Sequence, residues 1–258
     1  MFSPLRGMAM FRKILLLIAL IYVSLAGTSY AKTSIITDID ETVKRTRGES
    51  FRGLYHSILT HKVFSGMDTL LKKTKGDLFF VSEDYKFLEF NVEKLIKDNK
   101  LNAKGVYTRV PFAFESEHSY KYETVKRIME SSNDKFILIG DDSGVDQDVY
   151  TQIAKDFPGR VSEIYIHVVK NEKVIMKGVT PYFTAFDIAV NEFKKKRFTK
   201  DQVVDVGRAL LKEEKFHKVF PKYAHCPKSN IEIKTRNAPL IDKLIGNISK
   251  KTLDYCNS

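Results

Sequence analysis

The stretch SIITDIDETVKRT (34–46) decides the reading of this chain. Four apolar and β-branched residues run directly into Asp38-Ile39-Asp40-Glu41-Thr42. A short apolar run of this kind, bounded by polar residues, is consistent with a buried strand. Three carboxylates within four residues repel one another, and two of them cannot both stay ionised at low cost unless a cation lies between them. Asp38 and Asp40 are two apart, so on an extended segment they face the same way and Glu41 faces elsewhere.

Similar runs recur along the chain. Strands are expected over 34–37, 77–82, 103–108, 135–140 and 161–169. Helical stripes are expected over 66–75, 85–99, 121–131 and 146–157. Strands alternating with helices imply a mostly parallel sheet covered on both faces. Because crossovers are right-handed, the expected fold class is α/β, a doubly wound, Rossmann-like sheet. Past residue 180 no further strand is expected. Helices over 183–193, 200–216 and about 238–255 form a helical C-terminal tail. Lys194-Lys195-Lys196-Arg197 falls at the C-terminal end of one of them, where cations are favoured.

In such a sheet, ligands bind outside the C-terminal ends of the strands. The strand at 34–37 leads into Asp38 and Asp40, the strand at 77–82 ends on Ser82, and FILIG leads into Asp141-Asp142-Ser143-Gly144-Val145-Asp146. Lys121, in a helix between the second and third clusters, supplies a cation. Carboxylates gathered from two strands make an all-oxygen site suited to Mg²⁺, completed by substrate phosphate. An Asp carboxylate can act as a nucleophile towards phosphorus, and a neighbouring carboxyl can protonate the leaving oxygen. Lys121 and the Ser82 hydroxyl then balance phosphoryl charge.

The order of these residues resembles the haloacid-dehalogenase-like phosphohydrolase superfamily: D-x-D-x-T at 38–42, Ser82, Lys121 and GDDSGVD at 140–146. The run from Phe136 to Ile166, with TDIDETVKRT and KYETVKRIM, is more narrowly similar to the phosphatidate phosphatase catalytic domain of the fungal actin-patch type and its bacterial relatives. The resemblance implies Asp38 as nucleophile and Asp40 as general acid, then base. It implies Thr42, Ser82 and Lys121 around the substrate phosphate. Metal ligation falls to Asp38, Asp40 (through its backbone carbonyl) and Asp141, with Asp146 or Asp142 in support. Where relatives carry an Asn-Ser-Pro-like turn, this chain reads Ser82-Glu83-Asp84-Tyr85, and Tyr120 precedes Lys121 where relatives place His. The resemblance spans about 33–190.

The chain has 258 residues and a formal charge of +11. Arg12 and Lys13 precede the apolar run ILLLIALIYVSLA (14–26), and Ser29 and Ala31 form a small-x-small pattern. Residues 1–31 therefore read as a secretory signal peptide cleaved near Ala31, with an apolar run shorter than the roughly 20 residues of a spanning helix. The expected organisation is one phosphatase domain over 32–258, with a core of about 33–190 and a helical extension over 191–258. The basic charge fits an anionic partner: a phosphorylated substrate, held at an anionic membrane surface. No nucleic acid and no obligate protein partner is expected. The intervals between motifs leave room for a small cap or none. Residues 43–65, basic and apolar, are the candidate lid. Cys226 and Cys256 are the two cysteines, and export makes a disulfide between them expected.

The leading functional expectation is an exported Mg²⁺-dependent phosphatase, periplasmic or secreted, that hydrolyses phosphatidate. A broad-specificity exported acid phosphatase for nucleotides or small phosphate esters is the second reading. A non-catalytic binder of anionic lipid or nucleic acid is the third, though a binder has no need of a repelling acid pair.

Overall fold

A computed structural model describes residues 32–45, 62–85, 89–110, 115–171, 175–227, 235 and 238–258. The signal segment (1–31) and most of the candidate lid (46–61) lie outside the described residues. The described strands are β1 (Thr33–Thr37), β2 (Leu78–Tyr85), β3 (Ala103–Arg109), β4 (Lys135–Asp141), β5 (Val161–His167) and β6 (Thr180–Tyr182). They form a six-stranded sheet in the order β3-β2-β1-β4-β5-β6. Every pairing is parallel.

The sheet is buried on both faces because consecutive apolar residues serve opposite sides. Ile35, Leu78, Phe80, Ile137 and Ile139 face one layer of the core, while Ile36, Phe79, Val81, Phe136 and Leu138 face the other. The second layer is closed by α3 (Glu117–Glu130) and α4 (Asp146–Asp156), through Val125, Ile128, Met129, Val149, Tyr150 and Ile153. The first is closed by α1 (Met67–Lys72), α2 (Glu89–Asp98), α5 (Ala185–Lys194), α6 (Lys200–Lys212) and α7 (Pro239–Cys256). The expected helical tail is therefore a layer of the core. Capping boxes start two of its helices, Thr184 with Asp187 and Thr199 with Gln202. The α3 helix begins earlier than its apolar stripe implied, at Ser116, whose hydroxyl accepts the Ser119 N–H.

The expectation that strands end before residue 180 is corrected by β6. It has three residues, too few to show a period, and carries Pro181, which a sheet tolerates at its edge. Cys226 and Cys256 form the expected disulfide. Among the described residues, no helix is long and apolar enough to cross a membrane.

Candidate active site

The C-terminal ends of β1, β2 and β4 meet at one cleft of about 520 Å³. β1 delivers Asp38, whose backbone N–H donates to the Ile139 carbonyl of β4 at 2.8 Å and so extends the β1–β4 pairing by one residue. The chain then turns. The N–H groups of Val43 and Lys44 donate to the Ile39 carbonyl at 2.9 and 2.7 Å, and the fully buried Ile39 and Val43 plug the loop into the core.

Asp38, Asp141 and Asp146 converge, with one carboxylate oxygen of each lying within 4.8 Å of the others. All three are buried. Asp146 starts α4 and folds back so that Oδ2 accepts the Asp141 N–H at 3.0 Å. The residue beneath that carboxylate is Gly140, where a Cβ would collide with it. The Ser143 N–H donates to Asp141 Oδ1 at 2.6 Å, and the Ser143 hydroxyl bonds the same oxygen.

Lys121 lies on the buried face of α3, in line with Val125 and Ile128. Its ammonium bonds Asp38 Oδ1 at 2.8 Å and Glu83 Oε1 at 3.0 Å, and pairs with Asp146 Oδ1. Burial disfavours that ammonium, yet Asp146 and Asp38 outweigh it and hold its pKa well above the ordinary value. Burial pushes the Asp141 carboxyl up to about 6 against the hydrogen bonds from Ser143. It pushes Asp146 up to about 7 against the pull of Lys121. Asp38 is likewise raised by burial, with Lys121 opposing and Asp146 and Asp141 adding to the rise. The carboxylates thus outnumber the lysine beside them, and their full ionisation calls for more positive charge. Three buried carboxylates as oxygen donors are what a hard divalent cation takes, so the donor set fits a metal ion.

The structure separates the other candidates. Asp40 lines the cleft, but its carboxylate lies outside the cluster and accepts from Lys44 Nζ at 3.1 Å. A shared carboxylate ligand pair of Asp38 and Asp40 is thus corrected, because the chain turns after Asp38 instead of staying extended. Ser82 is buried at the cleft wall. Thr42 is fully buried, is not among the residues lining the cleft, and donates to Asp141 Oδ2 at 3.2 Å, so it supports an acid from behind. Asp142 is corrected as a metal candidate. Its oxygens accept the N–H groups of Val169, Lys170 and Asn171, each at 2.8 Å, which turns it away from the cluster.

Four cleft residues escaped the sequence reading. Glu83 stood out only as a departure beside Ser82. Lys170 follows the end of β5, where the strand-end rule would have found it. Glu41, expected only to face away from Asp38 and Asp40, is buried and accepts the Tyr223 hydroxyl at 2.5 Å. Tyr223 comes from the tail and had no local signal. Behind the loop, His167 donates from Nδ1 to the Glu41 carbonyl at 2.5 Å and stacks on Tyr182. Burial lowers the His167 pKa, so the ring is neutral near pH 7.

Residues 33–168 match the family model described as phosphatidate phosphatase APP1, catalytic domain. The chain belongs to this family. Like others of the APP1 catalytic-domain family it is a phosphatase, a phosphoric monoester hydrolase, and the matched segment ends just before Val169 and Lys170 of the cleft. No curated protein matches the chain. Among solved structures, a chain of the Pnkp1/Rnl/Hen1 complex is similar at 11% identity and a TM-score of 0.38, over 60% of this chain and 47% of that one. This phosphatase thus spans about half the length of that structure. A class C acid phosphatase from Bacillus anthracis with tungstate bound is similar at 13% identity and a TM-score of 0.33, over 69% of this chain and 84% of that one.

Proposed function

We propose that the chain is an exported, Mg²⁺-dependent phosphatidate phosphatase working through an aspartyl-phosphate. The observation that carries this is the setting of Asp38: a buried carboxylate at the floor of an open cleft, 2.8 Å from the Lys121 ammonium and clustered with Asp141 and Asp146. Asp38 attacks phosphorus, the ester P–O bond breaks, and Asp40 at the cleft wall gives its proton to the departing alkoxide. Asp40 then takes a proton from the water that cleaves the aspartyl-phosphate. Lys121 and Ser82 balance the charge on the phosphoryl oxygens. Asp38, Asp141 and Asp146, with the Asp40 carbonyl, would hold Mg²⁺, which when bound neutralises phosphoryl charge.

Phosphatidate as substrate rests on the family description. Export rests on the leader-like residues 1–31 and on the Cys226–Cys256 bond, a feature of oxidising compartments. One observation favours a second reading, a broad phosphatase for small soluble esters: ten of the thirteen residues lining the cleft are acids, lysines or serines. The deciding experiment measures phosphate release from phosphatidate vesicles and from soluble esters, with Mg²⁺ and with chelator, for the wild type and Asp38→Asn. Chelator-sensitive release, abolished in a folded Asp38→Asn, is expected. Wild-type rates in that variant would overturn the mechanism, and vesicle rates no higher than those on soluble esters would remove the lipid assignment.

A further inference from the structure

The segment from Phe216 to Cys226 lies beyond the family match, yet it borders the cleft. Phe216 and Phe220 seat it in the core. At one end the Lys218 carbonyl accepts the Ser65 N–H at 2.8 Å. At the other the His225 N–H donates to the Val169 carbonyl at 2.8 Å, beside the cleft residue Lys170. The next residue, Cys226, is joined to Cys256 at the last position of α7. Between these anchors Tyr223 reaches the cleft and gives its hydroxyl hydrogen to Glu41 Oε2 at 2.5 Å.

Glu41 stands between Asp40 and Thr42, the proposed acid–base and the support of Asp141. Its φ of 56° is left-handed, a conformation disfavoured for any residue with a Cβ. Such a residue persists only where its surroundings hold it. Here the Glu41 N–H donates to the Lys44 carbonyl at 3.0 Å, its carbonyl accepts from His167, and its carboxylate is gripped by Tyr223. Two of these holds come from the catalytic domain itself, and the third comes from the extension.

We propose that Tyr223 is a positioning residue for the catalytic loop: by binding Glu41 it sets Asp40 against the leaving-group oxygen, and the Cys226–Cys256 bond keeps it in place. The catalytic consequence rests on the phosphatase mechanism above, while the hold on the loop rests on geometry alone. The two are tested separately, in full-length Tyr223→Phe and Cys226→Ser.

The first measurement is kcat/KM on p-nitrophenyl phosphate, whose leaving group needs little protonation, and on glycerol phosphate, whose alkoxide needs the Asp40 proton. Tyr223→Phe is expected to lose about tenfold on glycerol phosphate and less than about threefold on p-nitrophenyl phosphate. Equal losses, or none, overturn the positioning role. The second is amide exchange over residues 38–44, read by mass spectrometry. Protection is expected to fall by about fivefold or more in both variants. Unchanged protection in Tyr223→Phe overturns the proposal whether or not either ester is hydrolysed, and does so even where Cys226→Ser fails to fold. A wild type inactive on both esters and on phosphatidate vesicles, but showing the exchange difference, would overturn the phosphatase mechanism while supporting the grip of Tyr223 on the loop.

Discussion

Asp146 folds back over Gly140 to accept the backbone N–H of Asp141 at 3.0 Å, so two of the three clustered acids are joined through the main chain. Their spacing is set by covalent neighbours and one hydrogen bond, before any ion is added. Gly140→Ala strikes at this join, because a Cβ there falls within 3.0 Å of the Asp146 carboxylate. We expect Mg²⁺ affinity to drop by about tenfold or more and stability by about 1–3 kcal/mol. Calorimetric titration with Mg²⁺ and urea unfolding measure the two.

Asp142 and Asp146 are expected to fail in opposite ways. Asp142 takes three backbone N–H groups from the turn after β5, so Asp142→Ala should cost about 2–4 kcal/mol while Mg²⁺ affinity stays within about threefold. Asp146→Ala should abolish tight Mg²⁺ binding. Equal Mg²⁺ affinities in the two variants would contradict the assignment.

Lys121 is the cation among Asp38, Glu83 and Asp146. Lys121→Met leaves those acids without it, and should lower stability at pH 7.5 by about 3–5 kcal/mol. Because protonation relieves the same repulsion, the deficit should shrink at pH 5. Urea unfolding at the two pH values checks both statements, and a deficit that grows on acidification would refute them.

The metal-free protein should be more stable in mild acid than at neutral pH. Asp141, at about 6, and Asp146, at about 7, keep protons that the unfolded chain, at the ordinary 3.8, has already released. The folded state therefore binds more protons between about pH 4 and 7, and its stability falls as pH rises through that window. With chelator present, the loss should be roughly 2–4 kcal/mol from pH 5 to pH 8. Mg²⁺ should restore most of it at pH 8 and little at pH 5. Thermal melts across that range, with and without Mg²⁺, read the effect.

What the sequence disclosed follows from how parallel strands are built. Pairs such as Ile35-Ile36 and Phe79-Phe80 serve two buried faces, so each strand reads as an unbroken apolar run, and the polar residue after it marks the binding edge. Asp38, Ser82 and Asp141 were legible for that reason. The choice between Asp142 and Asp146 was not, because it depends on where the turn after β5 presents its N–H groups. The burial of Glu41 was not legible, because a left-handed residue breaks the alternation from which directions along a strand are read. Tyr223 was invisible, since only packing of the extension against the sheet brings it to the cleft.

The position of β1 in the sheet has a consequence for how this protein is made. β1 leads the described chain yet sits at the centre, bound to β2 on one side and β4 on the other. Its β4 edge closes over a long span, as the Ser34–Asp134 bond at a separation of 100 residues shows. As the chain folds, β1 lacks that partner until Lys135–Asp141 joins it, and long-range parallel pairing is intrinsically slow. The same event brings Asp141 to Asp38. The acids of the proposed site therefore meet only when the central sheet has closed, so the site and the folded core are completed in one step.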